Sequence, residues 1–323
     1  MFSLYGQSQK LKPGILENLD EHMRAFDTVK SAKVLEQDML QGIDVMVYDI
    51  QDVGTRIYTY TATMAYCMEA CAQNGIAFIV LDRPNPINGI DMEGPILEYP
   101  QYSSFVGLYP VPVRHGMTSG ELALLFNENY LEEKADLTVI PMEGWERDMW
   151  FDQTSIPWVP PSPNMPSLET ATVYPGQVFL EGTNISEGRG TDHPFELFGA
   201  PWIKGCELTK ELNALHLPGI FFKEEQFTPE FSKFRSELCG GVRILIQARQ
   251  EYKPFATALF ILKTTAKNYA EHFVFYDDYF DQIIGNSKVR DKLVDDLSIP
   301  EILKTYDSQI EQFDETRKPF LLY

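Results

Sequence analysis

The sequence predicts an α/β protein built on a parallel sheet, and three observations carry that expectation. Residues 43–50 and 76–81 are short, β-branched and nearly continuous in apolarity, the pattern of strands buried on both faces. The stretch between them, 55–74, reads as a helix stopped by Gly75, so strand, helix and strand follow one another as in a parallel crossover. Both apolar runs also end in polar residues, Gln51-Asp52-Val53-Gly54 and Asp82-Arg83-Pro84-Asn85-Pro86. Ligands of α/β sheets bind beyond the carboxyl ends of the strands.

In chain order, residues 2–5 read as a strand ended by Gly6. Residues 10–41 are polar and charged. Apolar residues at helical spacing around Ile15, Leu16 and Leu19, and again at Val34, Leu35, Met39 and Leu40, predict two helices with a solvated connection. After the crossover, residues 89–112 are irregular and rich in Pro, Gly and Tyr. Thr118, with Glu121 three residues on, forms a capping box for a helix through Tyr130. Residues 137–140 predict a strand, and 145–150 an aromatic surface segment. The proline-rich residues 157–166 exclude a helix or a central strand and predict a shaped loop. Gln177-Val178-Phe179-Leu180 reads as a short buried strand. Beyond Trp202 the texture changes. A helix at 208–215, strands at 220–222 and 242–247, and helices at 255–269 and from Tyr276 and Ile299 onward are expected, with a basic-then-apolar tail docking on the domain. A boundary near Gly205 gives two domains, 1–205 and 206–323.

The 323 residues, 44% of them apolar, suffice for two domains with sizeable cores. No run of about 18 apolar residues marks a membrane span. A net charge of -20 argues against a nucleic-acid partner. It leaves room for a small anionic substrate, because a few local arginines outweigh a diffuse field. Cys67, Cys71, Cys206 and Cys239 lack C-x-x-C spacing and the His residues are scattered, so structural thiols and no metal site are expected. Ser186-Glu187-Gly188-Arg189-Gly190-Thr191 has the glycines of a phosphate loop without its Gly-Lys-Ser/Thr ending. No basic segment followed by an apolar one marks a signal peptide.

The densest polar stretch follows Leu180: Glu181, Thr183, Asn184, Ser186, Glu187, Arg189, Thr191, Asp192 and His193, with Gly182, Gly188 and Gly190 between them. Such a loop either reads a hydroxyl-rich substrate and moves a proton, or is a surface loop whose polar groups cap helices. Other polar loops hold Asp49, Gln51, Asp52 and Arg56; Asp82, Arg83 and Asn85; Val113-Arg114-His115-Gly116; and the opening stretch. In a parallel sheet, loops at strand ends converge on one edge. Carboxylates, amides, Arg and aromatic residues without a Cys–His pair or a metal cluster suit glycoside hydrolysis, which needs an acid for the leaving oxygen and a second group for the oxocarbenium-like centre. Glu187 and Glu181 are candidates for that pair, and Asp52 is a third. Each has a structural alternative. Asp52 caps a helix starting near Thr55, His115 satisfies backbone groups in a turn, and Arg83 and Arg114 form structural pairs rather than reading a carboxylate. Asn164 holds its proline loop, and Tyr58 and Tyr60 are core rather than sugar-stacking residues.

The blocks Asp49-Ile50-Gln51-Asp52-Val53-Gly54-Thr55-Arg56-Ile57-Tyr58-Thr59-Tyr60, Leu81-Asp82-Arg83-Pro84-Asn85-Pro86, Pro112-Val113-Arg114-His115-Gly116-Met117-Thr118, Ser162-Pro163-Asn164-Met165-Pro166, Glu181-Gly182-Thr183-Asn184 and Gly199-Ala200-Pro201-Trp202 occur in one order along the chain. Together they resemble the exo-β-N-acetylmuramidases of the NamZ type, long classed as a domain of unknown function. The resemblance implies a Rossmann-like parallel-sheet domain, N-terminally incomplete, with a smaller α/β C-terminal domain and no dinucleotide or other cofactor. It implies release of N-acetylmuramic acid from the non-reducing end of peptidoglycan fragments, in a periplasmic or secreted setting. The implied catalytic residues are Glu187, Glu181, Asp52 and His115. The implied substrate contacts are Arg56, Tyr58, Arg83, Asn85, Arg114, Asn164, Thr183, Asn184 and Arg189, with Arg83, Arg114 or Arg189 reading the lactyl carboxylate of muramic acid. Two departures stand out. The family's Gly-Pro-Glu-His-Gly block, whose Glu is a leading catalytic candidate, does not occur here, and the stretch 17–41 is longer than usual. A muropeptide- or sugar-binding protein without catalysis is therefore the alternative, and a phosphate-ligand enzyme a third reading.

Overall fold

A computed structural model describes residues 3–4 and 40–323; the two helices expected in 10–41 lie almost wholly outside the described residues. In chain order the first elements are β1 (Ser3–Leu4), β2 (Val45–Tyr48), α1 (Tyr60–Asn74), β3 (Ala77–Leu81), β4 (Glu93–Ile96), β5 (Pro112–Arg114), α2 (Ser119–Asn129) and β6 (Leu137–Ile140). They are followed by α3 (Leu168–Gln177), β7 (Leu197–Ala200), α4 (Gly205–Ala214), β8 (Ile220–Glu224) and β9 (Gly240–Ile246). The chain closes with α5 (Pro254–Asn268), α6 (Asp277–Ile284), α7 (Lys288–Val294), α8 (Ile299–Lys304) and α9 (Asp307–Arg317).

The first sheet has the order β1-β2-β3-β6. Val45 to Tyr48 pair in parallel with Ala77 to Val80, and Phe78 to Leu81 with Leu137 to Ile140, while β1 joins the edge antiparallel. The expected crossover is therefore present: α1 links β2 to β3, and α2 links β3 to β6. Buried Met46, Tyr48, Phe78 and Val80 of the sheet pack with Met64, Cys67, Met68 and Cys71 of α1 and Leu122, Leu125 and Phe126 of α2. Gly75 ends α1 in the left-handed region (φ 65°), which glycine adopts without steric cost. The capping box of α2 is also present: Glu121 N–H donates to Thr118 Oγ1 (3.2 Å) and Thr118 N–H to Glu121 Oε2 (3.0 Å).

Four expectations are corrected. Helix α1 begins at Tyr60, not near Thr55, because Thr55 bridges Arg114 and Arg56 N–H donates to Val113 O (2.9 Å), which pulls that backbone into β5. Residues 89–112 are not wholly irregular, since β4 lies within them and pairs antiparallel with β5. Trp145 and Trp150 are buried rather than surface residues: Trp145 packs edge-on against Tyr323, and Trp150 carries the guanidinium of Arg249. Gln177-Val178-Phe179-Leu180 is not a strand. It is the last residue of α3 and the start of a 3₁₀ turn, Val178–Gly182, that continues α3. A short, fully buried apolar run carries no periodicity to tell helix from strand, and Pro175-Gly176 reads as punctuation although both residues lie inside α3.

A second sheet, β7-β9-β8, is antiparallel throughout. Its inner face joins α3, α5 and α6 in the larger core, where Phe179 meets Phe255 and Phe280 edge-on or tilted. That core also takes in Val53, Ile57, Tyr58, Ile87 and Val113 from the first half of the chain.

Candidate active site

The strand-end loops of the parallel sheet do converge. Beyond β2, Asp49 Oδ1 accepts from Arg83 Nε (2.7 Å), beyond β3, and Gln51 Nε2 donates to the carbonyls of Asp52 (2.7 Å) and Pro84 (2.8 Å). Asp52 is buried. Its Oδ2 accepts from Gly54 N–H (2.7 Å) and lies 3.3 Å from Nε2 of fully buried His115, which directly follows β5. Asp52 thus closes a tight turn of its own rather than capping α1. Met117 N–H donates to His115 Nδ1 (3.2 Å), which assigns the imidazole proton to Nε2, facing Asp52. Among the described residues, Asp52 Oδ1 and Gln51 Oε1 have no hydrogen-bond partner although buried. An unpaired buried acceptor costs about 1–3 kcal/mol and calls for an explanation, of which a ligand is one.

A ladder of rings leads away from Asp52. Tyr58 packs edge-on against Tyr60 (4.7 Å between centroids) and Tyr174 (5.9 Å), and Tyr174 against Phe195 (4.7 Å). Over Phe195 lies the guanidinium of Arg189 (5.0 Å), which opens a second polar cluster. Arg189 donates through Nε (3.2 Å) and Nη2 (2.6 Å) to Glu181 Oε1, and the Tyr279 hydroxyl donates to Glu181 Oε2 (3.0 Å). Glu187 is buried between two cations, with Oε1 3.4 Å from Arg189 Nε and Oε2 3.1 Å from Lys233 Nζ. Burial disfavours the charged guanidinium of Arg189, but the Glu181 charge and hydrogen bond raise its pKa above the ordinary arginine value. Burial, and then the Glu181 charge, push the phenols of Tyr174 and Tyr279 upward.

The other expected site residues are distributed unevenly. Arg56 is buried, with Nη1 and Nη2 donating to the carbonyls of Pro95, Val111, Ile283 and Ile284. Arg114 is buried against Glu93, Asp91 and the carbonyl of Ile87. Both guanidinium groups are thus occupied by the protein. Arg83 and Arg189 stay about a third exposed, at 33% and 29%. Asn85 is buried, donating to Met117 O and accepting from Ile87 N–H. Thr183 donates to Leu180 O and accepts from Ile185 N–H, and Asn184 binds the backbone of His272 and Val274. Asn164 is half-buried in a turn closed by Met165 N–H to Ser162 O (3.0 Å), and the Tyr60 hydroxyl fastens the same loop at Pro161 O (2.6 Å). Sequence reasoning missed Lys233 and Tyr279. Both lie outside every motif and reach the loop from far along the chain, so no local signal marks them.

Two family models match the chain: the N-terminal region of the exo-β-N-acetylmuramidase NamZ over residues 21–169, and its C-terminal region over 172–323. The chain belongs to the NamZ family. It is 48% identical over 324 residues to the peptidoglycan β-N-acetylmuramidase NamZ of Bacillus subtilis strain 168, an alignment that covers all of this chain and 72% of that protein. Two solved DUF1343 family proteins from Bacteroides fragilis NCTC 9343 share the fold. One has a TM-score of 0.85 at 34% identity, covering 91% of this chain and 79% of its own. The other has a TM-score of 0.72 at 31% identity, covering 89% and 78%. Among the described residues of this NamZ-family chain, no group of three His, Cys, Asp or Glu is placed to hold a metal ion, and no helix is long and apolar enough to cross a membrane.

Proposed function

We propose that this chain is an exo-acting glycosidase that releases N-acetylmuramic acid from the non-reducing end of peptidoglycan fragments, in cell-wall turnover. Family membership and the 48% identity to the Bacillus subtilis peptidoglycan muramidase support the activity. The geometric observation that carries the reading is Asp52: a buried carboxylate at the carboxyl edge of a parallel sheet, held on one oxygen by Gly54 N–H with His115 Nε2 3.3 Å away, and, among the described residues, without a hydrogen-bond partner on the other.

In this reading Asp52 is the carboxylate at the reacting sugar. The Gly54 N–H holds Oδ2, with His115 Nε2 3.3 Å from it, and Oδ1 is the oxygen that would accept a proton or stabilise the positive charge that builds on the sugar as the glycosidic bond breaks. Arg83 and Arg189, whose side chains are about a third exposed, are the candidates for the lactyl carboxylate, and Arg56 and Arg114 are structural. Glu181 and Glu187 shape the loop, because Arg189, Lys233 and Tyr279 engage their oxygens. The substrate supports a periplasmic or secreted location, which fractionation of the native host tests. The function itself is tested by incubating this chain with a muramic acid–glucosamine disaccharide. Release of free N-acetylmuramic acid is expected. Calorimetric binding without release would replace the enzyme with a sugar-binding protein.

A further inference from the structure

The Lys233 ammonium lies inside the fold of the 180–190 loop. It donates to the carbonyls of Leu180 (2.8 Å), Glu181 (3.2 Å) and Ile185 (3.0 Å), forms the ion pair with Glu187, and lies 5.8 Å from the centroid of the Tyr276 ring. Two of those carbonyls lie at the end of the 3₁₀ turn that continues α3, where carbonyls carry partial negative charge; Leu180 O also accepts from Thr183 N–H (3.0 Å). A single cation therefore answers the turn's end, the loop's middle and a buried carboxylate together. The backbone that delivers it is strained. Ser232, Phe234 and Ser236 all have positive φ (70°, 57° and 64°), which non-glycine residues seldom adopt unless their surroundings enforce it. The same segment lies directly on the loop: Glu230 N–H donates to Gly190 O (2.9 Å), and a Cβ at Gly190 would stand 2.6–3.0 Å from the Phe231 and Glu230 backbone.

We propose that Lys233 is a positioning residue for substrate recognition: it locks the 180–190 loop so that Arg189 is presented to the anionic group of the sugar. This deepens the functional reading above and rests on it. Arg189 gets its direction from Glu181, and both Glu181 and Glu187 belong to the loop that Lys233 fastens. Without the ammonium, three carbonyls and one carboxylate lose their shared partner, and Arg189 keeps its charge but not its place.

The test compares wild type with Lys233→Met and Lys233→Arg. A planar guanidinium does not converge on three carbonyls as an ammonium does, so the arginine variant keeps charge without geometry. For a muramic acid disaccharide, KM should rise about tenfold or more, as for loss of a charged hydrogen bond, with kcat within about threefold. As a competitive inhibitor, a glucosamine disaccharide, which lacks the lactyl carboxylate, should show no comparable change in inhibition constant. Hydrogen exchange at the amides of Ser186 and Phe195 should quicken in both variants while that of Met46 in the parallel sheet stays slow. Aminoethylation of Lys233→Cys, with alkylated wild type as control, should restore KM by rebuilding a lysine-like ammonium. A lower melting temperature with unchanged KM and unchanged exchange would overturn the proposal. If Lys233→Met fails to fold, Lys233→Arg carries the same readouts. If wild type releases no sugar, the functional reading fails, and the recognition role falls with it, whereas the exchange measurement still decides whether Lys233 locks the loop.

Discussion

Replacing Asp52 by Asn changes almost nothing in volume and removes one charge. Both oxygen positions are buried, and Oδ2 has two neighbours, the Gly54 N–H at 2.7 Å and His115 Nε2 at 3.3 Å. An amide oxygen still accepts from Gly54, at about half the strength of a carboxylate. The His115 contact weakens similarly, and the amide NH2 meets a site that held an acceptor. Summed, the structural loss is about 1–3 kcal/mol, against a total stability of about 5–15 kcal/mol for a typical folded protein, so nearly every molecule remains folded. The chemical loss is of another order. A carboxylate acting at the reacting centre is worth about 10²–10⁴ in rate, or roughly 3–5 kcal/mol of barrier at 1.36 kcal/mol per tenfold. The assay is turnover of a muramic acid disaccharide at saturating concentration, with the melting temperature measured on the same sample. The expected result is a drop in kcat of at least 100-fold with KM little changed and a single cooperative melt. Turnover within threefold of wild type in a sample with a lowered melting temperature would refute the argument and return Asp52 to the role of a turn-closing residue.

Two other predictions test the fold. Burial pushes the thiol of Cys67 up to about 12 and those of Cys71 and Cys239 to about 11, while Cys206 is exposed. A thiol-reactive dye at pH 8 should therefore titrate one cysteine rapidly in the native protein and all four after denaturation; rapid reaction of three or more in the native state contradicts the core. Phe179, fully buried between Phe255 and Phe280, is expected to cost about 3–5 kcal/mol on replacement by Ala, read from urea unfolding with an unchanged slope; a loss under 1 kcal/mol would mean that α3, α5 and α6 are not packed as described.

The parts of the fold that local chemistry dictates were legible in the sequence. Val45–Tyr48 and Ala77–Leu81 announce themselves because strands buried on both faces need apolar residues at every position. Thr118 and Glu121 announce α2 because the orphan amides of a helix start need those side chains at that spacing. The failures have equally local causes. Residues 170–180 are buried on all sides, so no exposed face marks a helical period there. The start of α1 is set by a bridge from Thr55 to Arg114, which no window around Thr55 contains. For the site, motif reading named Asp52, His115, Glu181, Glu187 and Arg189 as candidates but did not rank them. Arg56 and Arg114 look from sequence like substrate readers as much as Arg83 does. Only their acceptors, carbonyls for one and the carboxylates of Asp91 and Glu93 for the other, argue against that role. Tyr279 and Lys233 had no signal because each meets the loop through tertiary placement, the former 98 residues from its partner Glu181.

The larger core has a consequence for how such a chain can change over generations. The regions matched by the two family models, 21–169 and 172–323, share it: Val53, Ile57, Tyr58 and Val113 pack with residues beyond 171, and Nη2 of Arg56 donates to the carbonyls of Ile283 and Ile284. An exchange of one half for the corresponding half of a divergent relative would bring a charged, buried side chain against a surface shaped for another sequence. The two halves are therefore expected to be inherited together and to drift in concert, with shuffled chimaeras failing at Arg56 before they fail at Asp52.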